Sequence, residues 1–484
     1  MKHIHQLLDT QDGVGLAGLV KCGEVKPAEL VEAVIERLEQ VNPSLNAVAE
    51  PLYDSARHAA RTIDIAQGGA LAGVPTLVKD LFTAVKEARM TNGSLAPGET
   101  YPGLDDEMMR RYRKAGILIV GTSTSPEFGS SYTTESTRFG ATRNPWNTQH
   151  SAGGSSGGAG ALVAARVVPF AHGNDGGGSL RVPASCCGVF GLKPTRGRMP
   201  SGPLAGEGWA GMGTPHAVTL SVRDSAALLD IASGADAGAP YAAPYQHEPF
   251  MAALARPARR LRIALVEHLS PWVTSEQALN AVRHTARLCE HQGHQVDVAT
   301  LPVTAEKFFS DAFTIISVNT QEYVDLLGHM RGAPVRPEEL EPRTRVMLRE
   351  RGRQSGVDYV AAVNAMHTLG RQFAGFMQDY DLILTPTLTR EPPLIGTLDA
   401  FDDRLALNDI IEGFHRYCPF TALFNATGQP AMSVPLYWTP GGLPIGSHFA
   451  ARFGDENTLL ALAAQLEQVQ PWASRVPPVN ALSK

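Results

Sequence analysis

The sequence has few cysteines, and this shortage excludes two classes of protein. Its 484 residues contain five cysteines, too few and too scattered for the disulfide framework of a small secreted domain. None has the Cys-x-x-Cys spacing of zinc or redox motifs. Cys186 and Cys187 are adjacent, and we interpret them as small core residues, since free cysteine is usually buried.

Basic runs and long apolar stretches are also absent. Lysine and arginine total 42 against 48 aspartate and glutamate, a formal net charge of −6, and no basic cluster offers the surface that a phosphate backbone requires. No apolar stretch approaches the roughly 18 residues that cross a bilayer, and the first residues lack the apolar region of a secretory signal. We expect a cytoplasmic protein that binds neither nucleic acid nor membrane.

The chain does have the composition of a globular protein, with 43% hydrophobic and 19% charged residues. Helix and strand patterns alternate along it, which is typical of an α/β architecture whose buried sheet is covered by helices on both faces. The predicted elements are helix 27–41, helix 53–65, strand 71–82, helix 105–115, strand 117–120, helix 157–167, strand 167–171, strand 261–267, helix 275–292, strand 295–301 and strand 380–386. A mostly helical region spans about 304–378, and no linker or repeat divides the chain. We therefore predict one large domain over residues 1–484.

Glycines crowd between residues 151 and 213, where serines are embedded in them. Residues 151–160 read SAGGSSGGAG and residues 172–181 read HGNDGGGSLR. Three glycines before Ser179 allow successive backbone N–H groups to face one concavity, and a serine at its end can attack a carbonyl whose oxygen lies there. A phosphate loop is excluded because GK[ST] is missing. The pattern favours acyl transfer over a flexible linker.

A nucleophilic serine needs a base, and two types are available. His150 and His172 lie near the serines in sequence, which is compatible with a Ser-His-Asp hydrolase. The alternative is Lys79, which interrupts the apolar run VPTLVKDLF, whereas the other eight lysines lie in polar surroundings or beside turn residues. Lys79 is either an edge-strand residue, paired with Asp80 or reaching solvent, or a buried lysine that is neutral near pH 7 and accepts a proton.

Three segments together resemble the amidase signature family: GVPTLVKD around Lys79, GGSSGG around Ser155, and GNDGGGSLRVPASCCGVFGLKPTRG around Ser179. The resemblance extends from this core region, about 71–220, to TESTRFGATRNPWN, YDLILTPT, FNATGQPAMSVP and GLPIGS, and so covers most of the chain. It implies the amidase signature fold, a single domain with a mixed, mostly twisted central sheet. It also implies an enzyme that cleaves the carbon–nitrogen bond of a small-molecule amide without metal or cofactor, and suggests a homodimer.

The resemblance further implies a Ser-cisSer-Lys triad. By motif position Ser179 is the nucleophile, Ser155 the bridging serine after a cis peptide bond, and Lys79 the terminal base. The oxyanion would be bound by backbone N–H groups, those of Gly176, Gly177, Gly178 and Ser179. Asp175 and Arg181 match the motif and are assigned to holding the loop. His150 and His172 then become structural residues.

One position departs from the family pattern. Asn174 precedes Asp175 where the family usually has Thr or Ser, and Gly176 follows where a larger residue is common. We expect the catalytic positions to be unaffected.

Within the family, the segment 203–226 differs from the corresponding segment of the glutamine-hydrolysing subunit of tRNA-dependent amidotransferases. That subunit is kept as an alternative function, and a Ser-His-Asp esterase is a second alternative. The chain looks most like the branch that hydrolyses cyclic 6-aminohexanoate dimers and aryl amides. We expect hydrophobic or aromatic amides as substrates, with carbamates and esters open to the same attack. The helical region 304–378 is expected to lie near the pocket, while Tyr132, Trp209 and Phe424 are more readily interpreted as core residues than as pocket walls.

Overall fold

The computed structural model describes residues 2–256, 259–398, 401–402 and 404–482. The helices are Lys2–Thr10 (α1), Gly13–Lys21 (α2), Pro27–Leu45 (α3), Tyr53–Thr62 (α4), Glu107–Lys114 (α5), Gly157–Ala164 (α6), Arg181–Cys187 (α7), Val222–Ala232 (α8), Phe250–Ala253 (α9), Glu276–His291 (α10), Ala305–Arg331 (α11), Pro342–Arg351 (α12), Gly356–Phe376 (α13), Leu407–Tyr417 (α14), Thr421–Ala426 (α15) and Glu456–Val469 (α16). The strands are Val48–Pro51 (β1), Pro75–Lys79 (β2), Leu118–Ser123 (β3), Glu135–Ser136 (β4), Gly140–Ala141 (β5), Arg143–Asn144 (β6), Asn147–Ser151 (β7), Phe170–Asp175 (β8), Phe190–Lys193 (β9), Thr214–Thr219 (β10), Arg262–Leu265 (β11), Gln295–Val298 (β12), Leu382–Pro386 (β13), Ala431–Trp438 (β14) and Pro444–Ala451 (β15).

A mixed central sheet organises the molecule, as predicted. Its strand order is β12-β11-β13-β15-β14-β9-β10-β8. The pairs β12–β11 and β11–β13 are parallel and the other pairs are antiparallel. Strands β9, β13 and β15 are buried along their whole length, which is expected of a sheet covered by helices on both faces. The prediction of an α/β fold in one large domain is confirmed.

A smaller sheet, in the order β1-β3-β2, carries the segment around Lys79 to the edge of the central sheet. Strand β2 runs parallel to β3, with Lys79 opposite Ser123. The Thr76 hydroxyl donates to the Phe170 carbonyl of β8 over 2.9 Å. The end of β2 therefore lies beside β8, the strand that leads into the glycine-rich loop before Ser179.

Local sequence explains where several elements begin and end. Helix α3 has Pro27 in its first turn, where the missing N–H costs no hydrogen bond, and its apolar residues Leu30, Val34 and Leu38 are buried. Helix α5 has an acid in its first turn and bases in its last, which suits the helix dipole. Gly116 then turns the chain into β3 with a φ of 84°.

The structure moves some predicted boundaries. The apolar run 71–82 is a strand only over Pro75–Lys79, and the strand predicted over 167–171 lies instead at Phe170–Asp175. The region 304–378 contains α11, α12 and α13. Among the described residues, no helix is both long and apolar enough to cross a membrane.

Candidate active site

Lys79 is the last residue of β2, and its side chain is completely buried. Its backbone N–H donates to Nδ1 of His172 on β8 over 3.3 Å. Its Nζ lies 2.7 Å from Ser155 Oγ and 2.7 Å from Asn174 Oδ1, and 3.5 Å from the Asn174 carbonyl oxygen. Lys79 is therefore the buried lysine of the two interpretations, rather than a residue that reaches solvent.

The surroundings of Lys79 favour its neutral form. Burial lowers the pKa of the Lys79 ammonium well below its ordinary value, and the negative charge of Asp175 opposes this only in part. The carboxylate of Asp80 points elsewhere, since both of its oxygens accept hydrogen bonds from Thr91. A neutral amine at this position can accept a proton from a hydroxyl group.

Ser155 lies in the loop between β7 and α6, with a cis peptide bond joining it to Gly154. The glycine is required by a close approach, because a Cβ on Gly154 would lie 2.4 Å from the Thr133 carbonyl oxygen. Ser155 itself is 1% exposed. The next N–H, that of Ser156, donates to the Ser179 carbonyl over 3.2 Å. The two serine-containing loops therefore lie side by side.

Ser179 lies between the end of β8 and the start of α7, in a loop held by a buried carboxylate. Asp175 accepts the backbone N–H groups of Gly178 at 2.7 Å and Leu180 at 3.0 Å. Arg181 donates to both oxygens of the same carboxylate, from Nη2 over 2.9 Å and from Nε over 3.0 Å. Burial alone would raise the pKa of Asp175, but the charge and hydrogen bonds of Arg181 hold that pKa well below its usual range.

One predicted oxyanion donor is already engaged within the loop. Because the Gly178 N–H donates to Asp175, it is not available to the cavity in this structure, and we correct its assignment accordingly. Gly176, Gly177 and Ser179 all line the cavity. The Gly177 carbonyl accepts hydrogen bonds from Thr421 Oγ1 at 2.5 Å and from the Tyr132 hydroxyl at 3.3 Å.

Ser179 opens onto a cavity whose walls are mostly apolar. The cavity has about 520 Å³ of space, including its mouth, and its walls comprise Gly129, Ser130, Ser131, Tyr132, Gly176, Gly177, Ser179, Trp209, Met212, Phe309, Ala312, Phe313, Ile316, Phe414, His415 and Ala422. Tyr132 and Trp209 are thus wall residues, while Phe424 is fully buried against Phe373. The sequence did not single out Phe309, Phe313, Phe414 or His415, because helices α11 and α14 carry no motif there.

The histidines near the serines have other partners. His172 accepts the Lys79 N–H at Nδ1, and its Nε2 has no hydrogen-bond partner among the described residues. Burial lowers the pKa of His172 to about 3. His150 contacts the Pro392 carbonyl at 2.7 Å through Nδ1 and lines a separate surface cleft. These contacts favour lysine over histidine as the base.

The sequence does not mark a second buried lysine, Lys193, because it precedes Pro194 and a neighbouring proline is typical of a turn. Lys193 ends β9, is 1% exposed, and donates from Nζ to the Pro194 carbonyl over 2.7 Å. Burial, and next the positive charge of Arg181, lower its pKa to about 7. Lys79 is therefore not the only buried lysine among the described residues.

Comparisons with known proteins identify the family of the chain. The model of the Amidase family matches residues 29–460. The 6-aminohexanoate-cyclic-dimer hydrolase of Pseudomonas sp. (strain NK87) is 37% identical over 489 residues, covering 96% of each chain. Among solved structures, 6-aminohexanoate cyclic dimer hydrolase complexed with substrate has a TM-score of 0.92 at 35% identity, covering 97% of this chain and 99% of the other. A bacterial aryl acylamidase of the amidase signature family has a TM-score of 0.87 at 28% identity, covering 96% and 97%.

The protein is a hydrolase with an α/β fold, and the chain belongs to the amidase signature family. It is an amidohydrolase, similar to cyclic amide hydrolases and aryl acylamidases.

Proposed function

We propose that the chain hydrolyses hydrophobic or aryl amides through a Ser-cisSer-Lys triad of Ser179, Ser155 and Lys79. The observation that carries the proposal is the 2.7 Å contact between Lys79 Nζ and Ser155 Oγ, completely buried beneath the cavity that Ser179 lines. Burial lowers the pKa of a lysine placed in this way, and its neutral form can withdraw a proton through the bridging serine.

In this proposal the proton passes from Ser179 to Ser155 and from Ser155 to Lys79. As Ser179 Oγ attacks the amide carbon, its proton passes to Ser155 Oγ, and the Ser155 proton passes to Lys79 Nζ. When the carbon–nitrogen bond breaks, Ser155 gives a proton to the leaving nitrogen and is reprotonated by Lys79. An acyl group remains on Ser179, and water, activated by the same pair of groups, releases it as a carboxylic acid.

Asn174 orients the base in this proposal. A neutral amine has two N–H groups and one lone pair, and the two oxygens of Asn174, at 2.7 and 3.5 Å, can accept both N–H groups. The lone pair then faces the Ser155 hydroxyl. The Asn174 side chain is itself held, because its Nδ2 donates to the Leu81 carbonyl over 2.7 Å. The position that departs from the family pattern thus contacts the base directly.

The developing oxyanion is bound by backbone donors of the glycine loop. Gly176, Gly177 and Ser179 line the cavity, and their N–H groups are the donors we assign. The buried ion pair of Asp175 and Arg181 fixes the loop that presents them. Preorganised donors of this kind typically contribute about 2.7–4 kcal/mol each to transition-state stabilisation.

The walls of the cavity support the substrate class. Trp209, Phe309, Phe313 and Phe414 offer flat apolar surface, which suits an aryl or alkyl group next to the scissile bond. The named activities of the two relatives, on a cyclic amide dimer and on aryl amides, fit the same walls. Carbamates and esters are further candidates, since attack on their acyl carbon uses the same groups.

The test is product analysis by mass spectrometry on a substrate panel, comparing wild type with S179A. The panel contains acetanilide, a p-nitroanilide, the linear and cyclic dimers of 6-aminohexanoate, an aryl carbamate and glutamine. We expect hydrolysis of the anilides or dimers by wild type, an acyl adduct on the intact protein, and neither with S179A. Turnover of glutamine alone would instead assign the chain to the amidotransferase branch.

A matched pair of variants tests the bridging serine. S155A is expected to abolish acylation, whereas S156A changes the neighbouring serine of the same loop, whose Oγ donates to the Asn174 carbonyl over 3.2 Å. We expect S156A to retain most activity. Equal losses of activity in the two variants would show that a change in loop structure, rather than loss of the Ser155 hydroxyl, reduces acylation.

A further inference from the structure

His415 lies on the wall of the same cavity as Ser179, in the last turn of α14. It is 2% exposed and is surrounded by other rings. The Phe309 ring stacks on it at an interplanar angle of 14°, with a centroid separation of 3.2 Å. Tyr132 and Phe313 meet it edge-on, with centroids at 6.3 and 5.8 Å. These contacts fix the imidazole in one orientation.

At least one nitrogen of this ring has no partner among the described residues. The Cys418 backbone forms a weak hydrogen bond with the ring, and neither Nδ1 nor Nε2 makes a hydrogen bond of normal geometry with any described residue. Burial lowers the pKa of His415 to about 3, so the ring is neutral at physiological pH and has one donor and one acceptor. Buried polar atoms are nearly always paired, and a phenylalanine would fill this place without leaving polar atoms unpaired.

A second polar group on the same wall is also unpaired. The Ser130 hydroxyl is buried and has no hydrogen-bond partner among the described residues. Two residues with unpaired polar atoms therefore line the cavity, within otherwise apolar walls. A secondary amide is complementary to such groups, because it donates from N–H and accepts at C=O. The scissile amide occupies Ser179 and the glycine loop, so the partner is a different amide.

We propose that His415 is a specificity-determining residue that hydrogen-bonds a second amide group of the substrate, so that diamides are favoured over mono-amides of the same size. The proposal rests on the proposed function, in which the scissile amide is attacked by Ser179. A binding site that pairs its buried polar groups only with the correct ligand discriminates strongly against the analogue that lacks the group.

The experiment compares two rings of equal size. The cyclic dimer of 6-aminohexanoate has two amides, and the lactam with the same ring size has one. We expect wild type to prefer the cyclic diamide, and H415F to lower kcat/KM for the diamide by about tenfold or more relative to its effect on the lactam. H415Q, which retains a donor and an acceptor, is expected to keep part of the preference. Circular dichroism and thermal unfolding verify that each variant is folded.

The outcomes separate this proposal from the proposed function. Equal losses on the two rings with H415F and H415Q, or no preference by wild type, would overturn the role of His415. If wild type hydrolyses acetanilide but neither ring, the diamide proposal fails while the triad stands. If S179A is as active as wild type, the proposed function itself fails.

Discussion

The Oδ1 atom of Asn174 lies 2.7 Å from the Nζ atom of Lys79, as close to the buried amine as the Ser155 hydroxyl. An amide oxygen accepts a hydrogen bond from the amine without adding charge. The lysine can therefore be oriented while its pKa stays low. A carboxylate in the same place would orient it equally well and would also stabilise the ammonium form.

The substitution N174D is therefore expected to move activity to higher pH. The added negative charge raises the pKa of Lys79, and Lys79 must be neutral to accept the Ser155 proton. The acidic limb of the kcat/KM profile should shift to higher pH by about one unit or more. On the plateau at high pH, kcat/KM of the variant should approach the wild-type value. Steady-state kinetics on a p-nitroanilide over pH 6–10 measures this shift.

N174A is the matched control, because it removes the acceptor without adding charge. We expect it to lower kcat over the whole profile by about tenfold or more, since the lone pair of Lys79 loses its orientation. An unchanged acidic limb in N174D would show that Lys79 is not the group that titrates.

Much of this site follows from sequence because its motifs lie in short segments. Lys79, Ser155 and Ser179 could be named from the residues beside them, and the α/β alternation predicts the sheet that supports them. The contact between Asn174 and Lys79 could not be predicted in this way, because it depends on β8 lying against β2 across two different sheets. Phe309 and His415 come from helices whose patterns are those of any packed helix, so nothing local marks them as cavity walls.

The Trp209 ring packs on Gly176, and this contact can be tested with a double-mutant cycle. A Cβ on Gly176 would lie 2.8 Å from two ring atoms of Trp209, closer than packed carbon atoms approach. We expect G176A to lower kcat/KM by about tenfold or more, and W209A to restore part of that loss in the double variant. Each effect is measured on acetanilide, whose small size limits the contribution of the missing wall.

G177A serves as the comparison for this cycle. A Cβ there would have the Tyr132 hydroxyl at 3.5 Å as its nearest neighbour, an ordinary contact that does not involve Trp209. W209A should therefore not rescue G177A. Rescue of both glycine variants would mean that W209A acts by loosening the whole loop.

The buried pair of Asp175 and Arg181 is expected to dominate the stability of the loop. R181M would leave a buried carboxylate without its charge partner, which typically costs about 3–5 kcal/mol of unfolding free energy. D175N in the R181M background should recover part of this loss, because it removes the unpaired charge. Urea unfolding followed by circular dichroism measures these differences. K307A, which breaks the exposed helix pair of Lys307 and Asp311, should change stability by less than about 0.5 kcal/mol.

Lys193 gives a stability effect with a defined dependence on pH. Its pKa is about 7 in the folded protein and about 10.4 in an unfolded chain. Between these values the unfolded state binds one more proton than the folded state, so the contribution of Lys193 to stability rises with pH, by about 1.4 kcal/mol per pH unit at most. Below pH 7 both states are protonated and the contribution is constant.

K193M removes this titration. We expect the unfolding free energy of K193M minus that of wild type to fall steadily between pH 7.5 and pH 9.5. Only the unfolded state of wild type is stabilised by protonation of Lys193 in this range, and that stabilisation weakens as the pH rises. Urea unfolding at several pH values measures the difference, and titrations of all other groups cancel in it. K86M, which changes an exposed lysine, is the matched control for the loss of a lysine side chain. A flat difference for K193M would mean that Lys193 keeps its proton to high pH when buried, with the Pro194 carbonyl and the nearby Glu456 carboxylate stabilising the ammonium.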